Sequence, residues 1–241
     1  MKGPVTVLNT RPTNPYSRLS QALAAEGILT HDCPLIAIEP IAPQTPMPPH
    51  DITLFLSQHA VIHSRPYWPT PFPATEYLAI GPATQAALHA EGLRSVHIPN
   101  HFSSTGLLAM KALTHCRDQR CLIISGHDPQ PTLADTLSTR GAIVYPWPCY
   151  RRVNRSLALN EIQQLHNDPP DLILVTSNSL LSALMLAASP EQLARTIPLL
   201  TISPAMTARA KTLGWTTVHT AHSAHEQDVV AAILQWQQSM R

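Results

Sequence analysis

Residues 79–92 read AIGPATQAALHAEG, and residues 201–214 read TISPAMTARAKTLG. Each starts as an apolar strand end, turns at Gly-Pro or Ser-Pro, continues with helical spacing and stops at glycine. Proline fits the first helical position, where its absent N–H has no partner to lose. It also biases the residue before it away from helix. Glycine fits the left-handed turn that ends a helix. Each stretch is therefore a strand passing into a capped helix, and the second repeats the first 122 residues later. The same offset carries Val96-His97 onto Val218-His219.

The front of the chain repeats too. RPTNPYSRLSQALAAEG (11–27) lies over SGHDPQPTLADTLSTRG (125–141) at an offset of 114, and Pro34 then falls on Pro148. LFLSQHAV (54–61) parallels LVTSNSLL (174–181). Several collinear matches of this kind imply two similar units. Between them, short apolar runs alternate with helical patterns. Strands are predicted at Val5–Leu8, Leu35–Ile41, Ile52–Leu56, Leu78–Ile80, Val96–Ile98, Cys121–Ile124, Ile143–Val144, Leu172–Val175 and Leu199–Ile202. Helices are predicted at Pro15–Glu26, from Gly81 to Gly92, and at Thr105–Leu113, Thr132–Thr139, Leu180–Ala188, Ala205–Leu213 and Glu226–Gln238. Alternation of this type gives an α/β fold with parallel sheets.

Composition excludes several classes. The 241 residues are 44% hydrophobic, which supplies a core, but only 13% charged with a net charge of +1. A general nucleic-acid binder would carry a basic patch. An acidic ligand cannot be held here by an excess of Lys and Arg alone. The start, MKGPVTVLNTRP, lacks a signal-type apolar segment, and no run of 18 apolar residues occurs. A cytoplasmic protein without a membrane partner is the expectation. The four cysteines have no CxxC spacing and the 13 histidines no metal-binding spacing, so neither a metal nor a disulfide framework is expected. No nucleotide-binding glycine motif follows a strand. The 24 prolines crowd into 40–49 and 66–73, which read as extended surface connections.

The order of short motifs resembles that of uroporphyrinogen-III synthases. VLNTRP (7–12), QALAAEG (21–27) and PLIAIEP (34–40) look like the family's opening. LSQHAV (56–61), AIGPATQAAL (79–88) and SSTGLL (103–108) look like its middle. The TLADTLSTRGAIVY segment with CYRR (132–152), VTSNSLLSAL (175–184) and ISPAMTARAKTLGW (202–215) complete the set. The resemblance implies two α/β domains joined by a two-stranded antiparallel linker, with a cleft between them. Residues 1–37 with 151–241 would form the first domain, and 38–150 the second, inserted one. It further implies a cofactor-independent lyase that works as a monomer on hydroxymethylbilane. The reaction loses the terminal hydroxyl, inverts ring D through a spiro intermediate and closes the macrocycle as uroporphyrinogen III. A transient contact with hydroxymethylbilane synthase, which supplies the unstable substrate, is part of the same expectation.

Such a substrate carries acetate and propionate groups, and helix N-termini with hydroxyl side chains suit carboxylates. Ser57 and Ser177 end parallel strands, where α/β proteins bind ligands. Ser103, Ser104, Thr84, Ser203 and Thr207 stand at helix starts, where capping alone would also account for them. Tyr150 matches the tyrosine that the family places near the departing hydroxyl, where a phenol can assist by hydrogen-bonding or donating a proton; packing on the linker is the other reading of it. Arg11 is placed either to meet a substrate carboxylate bidentately or to pair with a carboxylate of its own domain. His59 would donate to a carboxylate or simply start a helix. Arg151 and Arg152 by default form a solvated pair, though alternation along the strand would face one of them toward the cleft.

Two stretches depart from the family pattern. SGHDPQP (125–131) lacks the arginines and two of the glycines that many bacterial relatives carry there, and 205–206 is Ala-Met where some have hydroxyl residues. The segment between Val61 and Leu78 is also short and proline-rich, so the family's helix after the 52–56 strand is expected to be truncated. A catalytically weak or inactive homologue that binds tetrapyrroles is the alternative these departures leave open. A two-lobed solute receptor and a nucleotide-dependent enzyme are more distant ones.

Overall fold

Thr6–Asn9 (β1) passes through the helix Leu19–Ala25 (α1) into Leu29–Asp32 (β2), and the two strands pair in parallel with Thr6 beside Leu29. Gly27, at φ +74°, makes the left-handed turn between helix and second strand. This computed structural model describes residues 4–73, 76–128, 131–187 and 197–240. It divides into two units, Met1–Ala37 with Val153–Arg241, and Ile38–Arg152.

In the first unit, β1 also pairs in parallel with Leu172–Leu174 (β9), β9 with Leu199–Thr201 (β10), and β10 with Val218–Thr220 (β11). The sheet order is β11-β10-β9-β1-β2. Alternate residues face opposite sides. Val7, Leu172, Leu174 and Leu200 pack with Leu19 and Leu23 of α1 and with Val229, Ile233 and Trp236 of the helix Glu226–Ser239.

The second unit holds Ile52–Phe55 (β4), Glu76–Ala79 (β5), Val96–His97 (β6), Arg120–Gly126 (β7) and most of Ile143–Asn154 (β8), with Ile36–Pro40 (β3) at the edge; residues 36–37 of β3 and 153–154 of β8 belong to the first unit. Its order is β3-β8-β7-β4-β5-β6. The sequence repeat matches β5 to β10, β6 to β11, β4 to β9 and β7 to β1, and both sheets place these four in the same spatial order. Ile52, Leu54, Leu78, Cys121 and Ile123 form one face, covered by Leu107 and Leu108 of the helix Ser104–Leu108 (α4), by Leu113 of the short helix Lys111–Thr114 (α5) and by Leu133 and Leu137 of Pro131–Thr139 (α6). The opposite face carries Gln58–Ser64 (α2) and Pro82–Ala90 (α3), which contact each other and the strands. Among the described residues no helix is long and apolar enough to cross a membrane.

The structure differs from the expectations in identifiable places. The helix expected at Thr105–Leu113 is two helices, α4 and α5, broken at Ala109-Met110. The turn that enters α4 passes close to Gly106, where a Cβ would collide with the His101 carbonyl oxygen. The strand expected at Ile143–Val144 runs on to Asn154. Leu29–Asp32 and the helix Leu159–Asn167 (α7) were not expected. The prolines at 66–73 lie on an exposed connection, as expected; within it Arg65–Tyr67 is a 3₁₀ turn, and Trp68 and Phe72 meet Phe55 edge-on and tilted, with centroids 5.6 and 6.4 Å away. The end of the expected helix Leu180–Ala188 lies outside the described residues; Asn178–Ala187 (α8) is helical.

Candidate active site

The second unit gathers its chemistry where β4, β5 and β7 end. β7 and β8 pair in regular register from Arg120–Ile143 to Ser125–Pro148, and then Gly126 stands opposite Tyr150. One residue of β8 is skipped. Such a bulge re-aims a side chain, and here it breaks the alternation: Cys149 and Tyr150 are both buried although adjacent. Tyr150 therefore points across the strand ends of β4 rather than away from them.

Its hydroxyl lies 2.9 Å from Ser57 Oγ. Ser57 is the N-cap of α2, extended at φ −171°, and its Oγ accepts the Ala60 N–H at 3.0 Å. With one lone pair so used, Ser57 keeps a hydroxyl proton to donate to the phenol oxygen. Either hydroxyl can be the donor in this pair, and when Ser57 donates, the Tyr150 proton is available to another acceptor. The Tyr150 ring is held by close neighbours. His59 and His63, one turn apart on α2, stack on each other at 6.2 Å and meet the ring at 5.8 and 5.9 Å. Gly126 also lies against the ring, where a Cβ would be 3.0 Å from the ring carbons Cε2 and Cζ. The Tyr150 carbonyl accepts the His127 N–H at 2.7 Å.

Burial lowers the His59 imidazole to about 4, with the charges of His63 and Arg152 acting in the same direction. Burial lowers His63 as well. His59 is thus a neutral ring at pH 7. Cys149, next to Tyr150, is pushed up to about 12 by burial and is a thiol, not a thiolate nucleophile. A cavity of about 210 Å³ opens beside the phenol, lined by Leu56, Ile80, Ser104, Ser125, Gly126, His127, Asp128, Tyr150 and Arg152. Whole-ligand pockets run to about 300–1,000 Å³, so this one suits about a single substituted ring. Site residues that the sequence reading did not single out are Gly126, Ser125 and His63. The i, i+4 spacing of His59 and His63 was the only visible signal.

The remaining expected residues are spread more widely. Ser103 caps α4 by accepting the Gly106 N–H at 3.0 Å, and Ser104 lines the cavity. Thr84 is buried, 3% exposed, on the core side of α3 and does not line the cavity. In the first unit Ser177 accepts the Leu180 N–H at 3.1 Å, and Ser203 caps the helix Pro204–Thr212 by accepting from Met206 at 3.3 Å. Thr207 Oγ1 joins Thr201 Oγ1 at 2.7 Å and Thr220 Oγ1 at 2.6 Å, a three-hydroxyl chain in which Thr201 and Thr220 were not expected. Arg11 takes the local option: its Nη2 donates to Ser17 Oγ at 2.8 Å and to Glu226 Oε1 at 2.9 Å. Burial works to raise the Glu226 carboxyl, but bonds from Ser17, the Arg18 N–H and Arg11 outweigh it and hold it below the usual range.

Two units of one topology, the second with a phenol and a serine hydroxyl in contact 2.9 Å apart, define a duplicated α/β protein. The family model for uroporphyrinogen-III synthase, HemD, matches residues 17–231. Uroporphyrinogen-III synthases of Salmonella typhimurium strain LT2 and of Escherichia coli strain K12 are each 27% identical to the chain, covering 95% of it and all of the relative. The fold is that of the uroporphyrinogen-III synthetase of Helicobacter pylori 26695, with a TM-score of 0.66 at 13% identity over 99% of this chain and 100% of that one. The uroporphyrinogen III synthase of Thermus thermophilus, as a mutant crystal, gives 0.54 at 14% identity over 98% of both chains. The chain belongs to the uroporphyrinogen-III synthase family.

Proposed function

We propose that this chain closes hydroxymethylbilane to uroporphyrinogen III, with loss of water and inversion of ring D, and that Tyr150 is its proton donor. The observation that carries the site reading is the Tyr150–Ser57 pair, 2.9 Å apart beside a ring-sized cavity. The terminal hydroxyl is a poor leaving group as hydroxide and a good one as water. Tyr150 donates its proton to that oxygen as the C–O bond breaks, while the electron pair of the adjoining pyrrole nitrogen replaces the lost bond. Ser57 stabilises the phenolate by donating to it, and the proton released when the ring system regains aromaticity restores the phenol. General-acid help of this kind is worth roughly 10²–10⁴-fold.

The rest of the task is orientation, because the free substrate cyclises unaided to the type I isomer. Holding the chain so that the closing carbon meets the substituted position of ring D is a positional effect. The hydroxyls at the start of α4, Ser103 and Ser104, support this reading as donors near a helix start, where carboxylates are favoured. The test is a coupled assay in which hydroxymethylbilane synthase generates the substrate, this protein is added, and the oxidised products are separated by isomer. Type III as the main product is expected. Type I alone, as without the protein, would leave only a tetrapyrrole-binding homologue.

A further inference from the structure

Four of the seven arginines of the second unit hold a carboxylate or a carbonyl, and of the other three, Arg94 and Arg117 do not line the cavity. Arg65 pairs with Glu91 at 2.9 Å, Arg120 with Asp51 at 2.7 Å and Arg151 with Glu39 at 2.8 Å, and Arg140 donates to the Leu108 and Leu113 carbonyls at 2.6 and 2.8 Å. Arg152 differs. Among the described residues it meets no carboxylate and no hydrogen-bond acceptor, and its guanidinium carbon sits 5.8 Å from the Tyr150 ring centroid, on the wall of the cavity. A guanidinium over an aromatic face keeps its planar fork of donors available for a carboxylate. The other charged group on that wall, Asp128, is exposed and stands beyond ion-pair distance from it. The field of Arg152 nevertheless reaches the site, since it helps to depress His59.

From this we infer that Arg152 is a substrate-positioning residue: it takes, bidentately, an acetate or propionate of the ring whose hydroxymethyl group faces Tyr150. The inference rests on the synthase reading. It turns the cavity from a plain ring-sized opening into one with a register, a fixed cation on one wall and a proton donor beside it. Two anchor points fix which face of the ring meets the phenol, which is what an enzyme controlling orientation requires.

The test is steady-state kinetics of type III formation by Arg152→Gln, Arg152→Lys and Arg151→Gln. Loss of one charge-assisted bidentate pair should raise KM roughly 10- to 100-fold, with kcat falling much less. Lysine should recover part of the loss, as a point charge without the fork. Arg151→Gln, whose wild-type side chain is occupied by Glu39, should leave KM unchanged. Thermal melts establish that each variant folds, and binding of uroporphyrin III, followed by fluorescence, gives a readout independent of turnover. Type III formation with an unaltered KM and unaltered binding in Arg152→Gln would overturn the inference while leaving the synthase reading intact. Type I product from the wild type would instead overturn that reading.

Discussion

Replacing Gly126 by alanine tests whether the placement of the Tyr150 ring matters. The new Cβ would stand 3.0 Å from Cε2 and Cζ of Tyr150 and 3.2 Å from its hydroxyl oxygen. Carbon contacts are comfortable at about 3.5–4.0 Å, so the ring must retreat by roughly 0.5 Å. Tyr150 is anchored by its backbone, through the bond from the His127 N–H. The ring therefore swings about its own Cβ and its hydroxyl moves most. The 2.9 Å contact with Ser57 then stretches to about 3.4 Å or more, outside the range of an O–H···O bond. Misplacement on the order of 1 Å costs up to about 10²-fold, so kcat for type III product should fall roughly 10- to 100-fold. Parallel melting curves separate this from unfolding. If Gly126 acts only through the phenol, the variant adds little to the loss already caused by Tyr150→Phe. Full kcat in Gly126→Ala, or losses that multiply in the double variant, would refute the reasoning.

Two further outcomes follow from the same region. His59 titrates at about 4 in the folded chain against 6.5 when free. Between those values the unfolded chain holds a proton that the folded ring refuses. The stability from the buried neutral ring is complete above pH 6.5 and is lost as pH falls toward 4, by about 2 kcal/mol between pH 7 and 5. Urea unfolding of His59→Gln should show a pH dependence flatter by that amount, and identical slopes for variant and wild type would exclude the buried neutral imidazole. Gly106→Ala puts a Cβ 1.8 Å from the His101 carbonyl oxygen, a clash that no rotamer relieves. A loss of about 3 kcal/mol is expected, at the upper end for overpacking, and a wild-type melting temperature would contradict the described path of the 101–106 turn.

Where local chemistry decides, sequence and structure agree closely. The Gly81-Pro82 and Ser203-Pro204 caps start helices at Pro82 and Pro204, and the glycines Gly92 and Gly214 end them with φ of +92° and +97°. These are properties of a few adjacent residues. Leu29–Asp32 was not legible because LTHD has neither β-branched enrichment nor a clear apolar alternation, and it exists as a strand through its bonds to β1. The start of α7 depends on Glu161 accepting the Ala158 N–H at 2.9 Å and on its pairing with Arg155, in a stretch with few apolar residues. The bulge that aims Tyr150 is a matter of register between β7 and β8, so alternation read along one strand cannot show it. Thr84 shows the same limit for helices: standing near an N-terminus does not tell which way the helix is turned.

The most direct test of the proposed site is the rate of type III formation by Tyr150→Phe at saturating hydroxymethylbilane. The substitution keeps the ring against His59, His63 and Gly126 and removes only the hydroxyl that meets Ser57. A kcat at least about 100-fold below wild type is expected, with type III still the product of the residual turnover. An unchanged kcat would mean that the proton reaches the departing hydroxyl from elsewhere and that this cavity is not where the reaction begins.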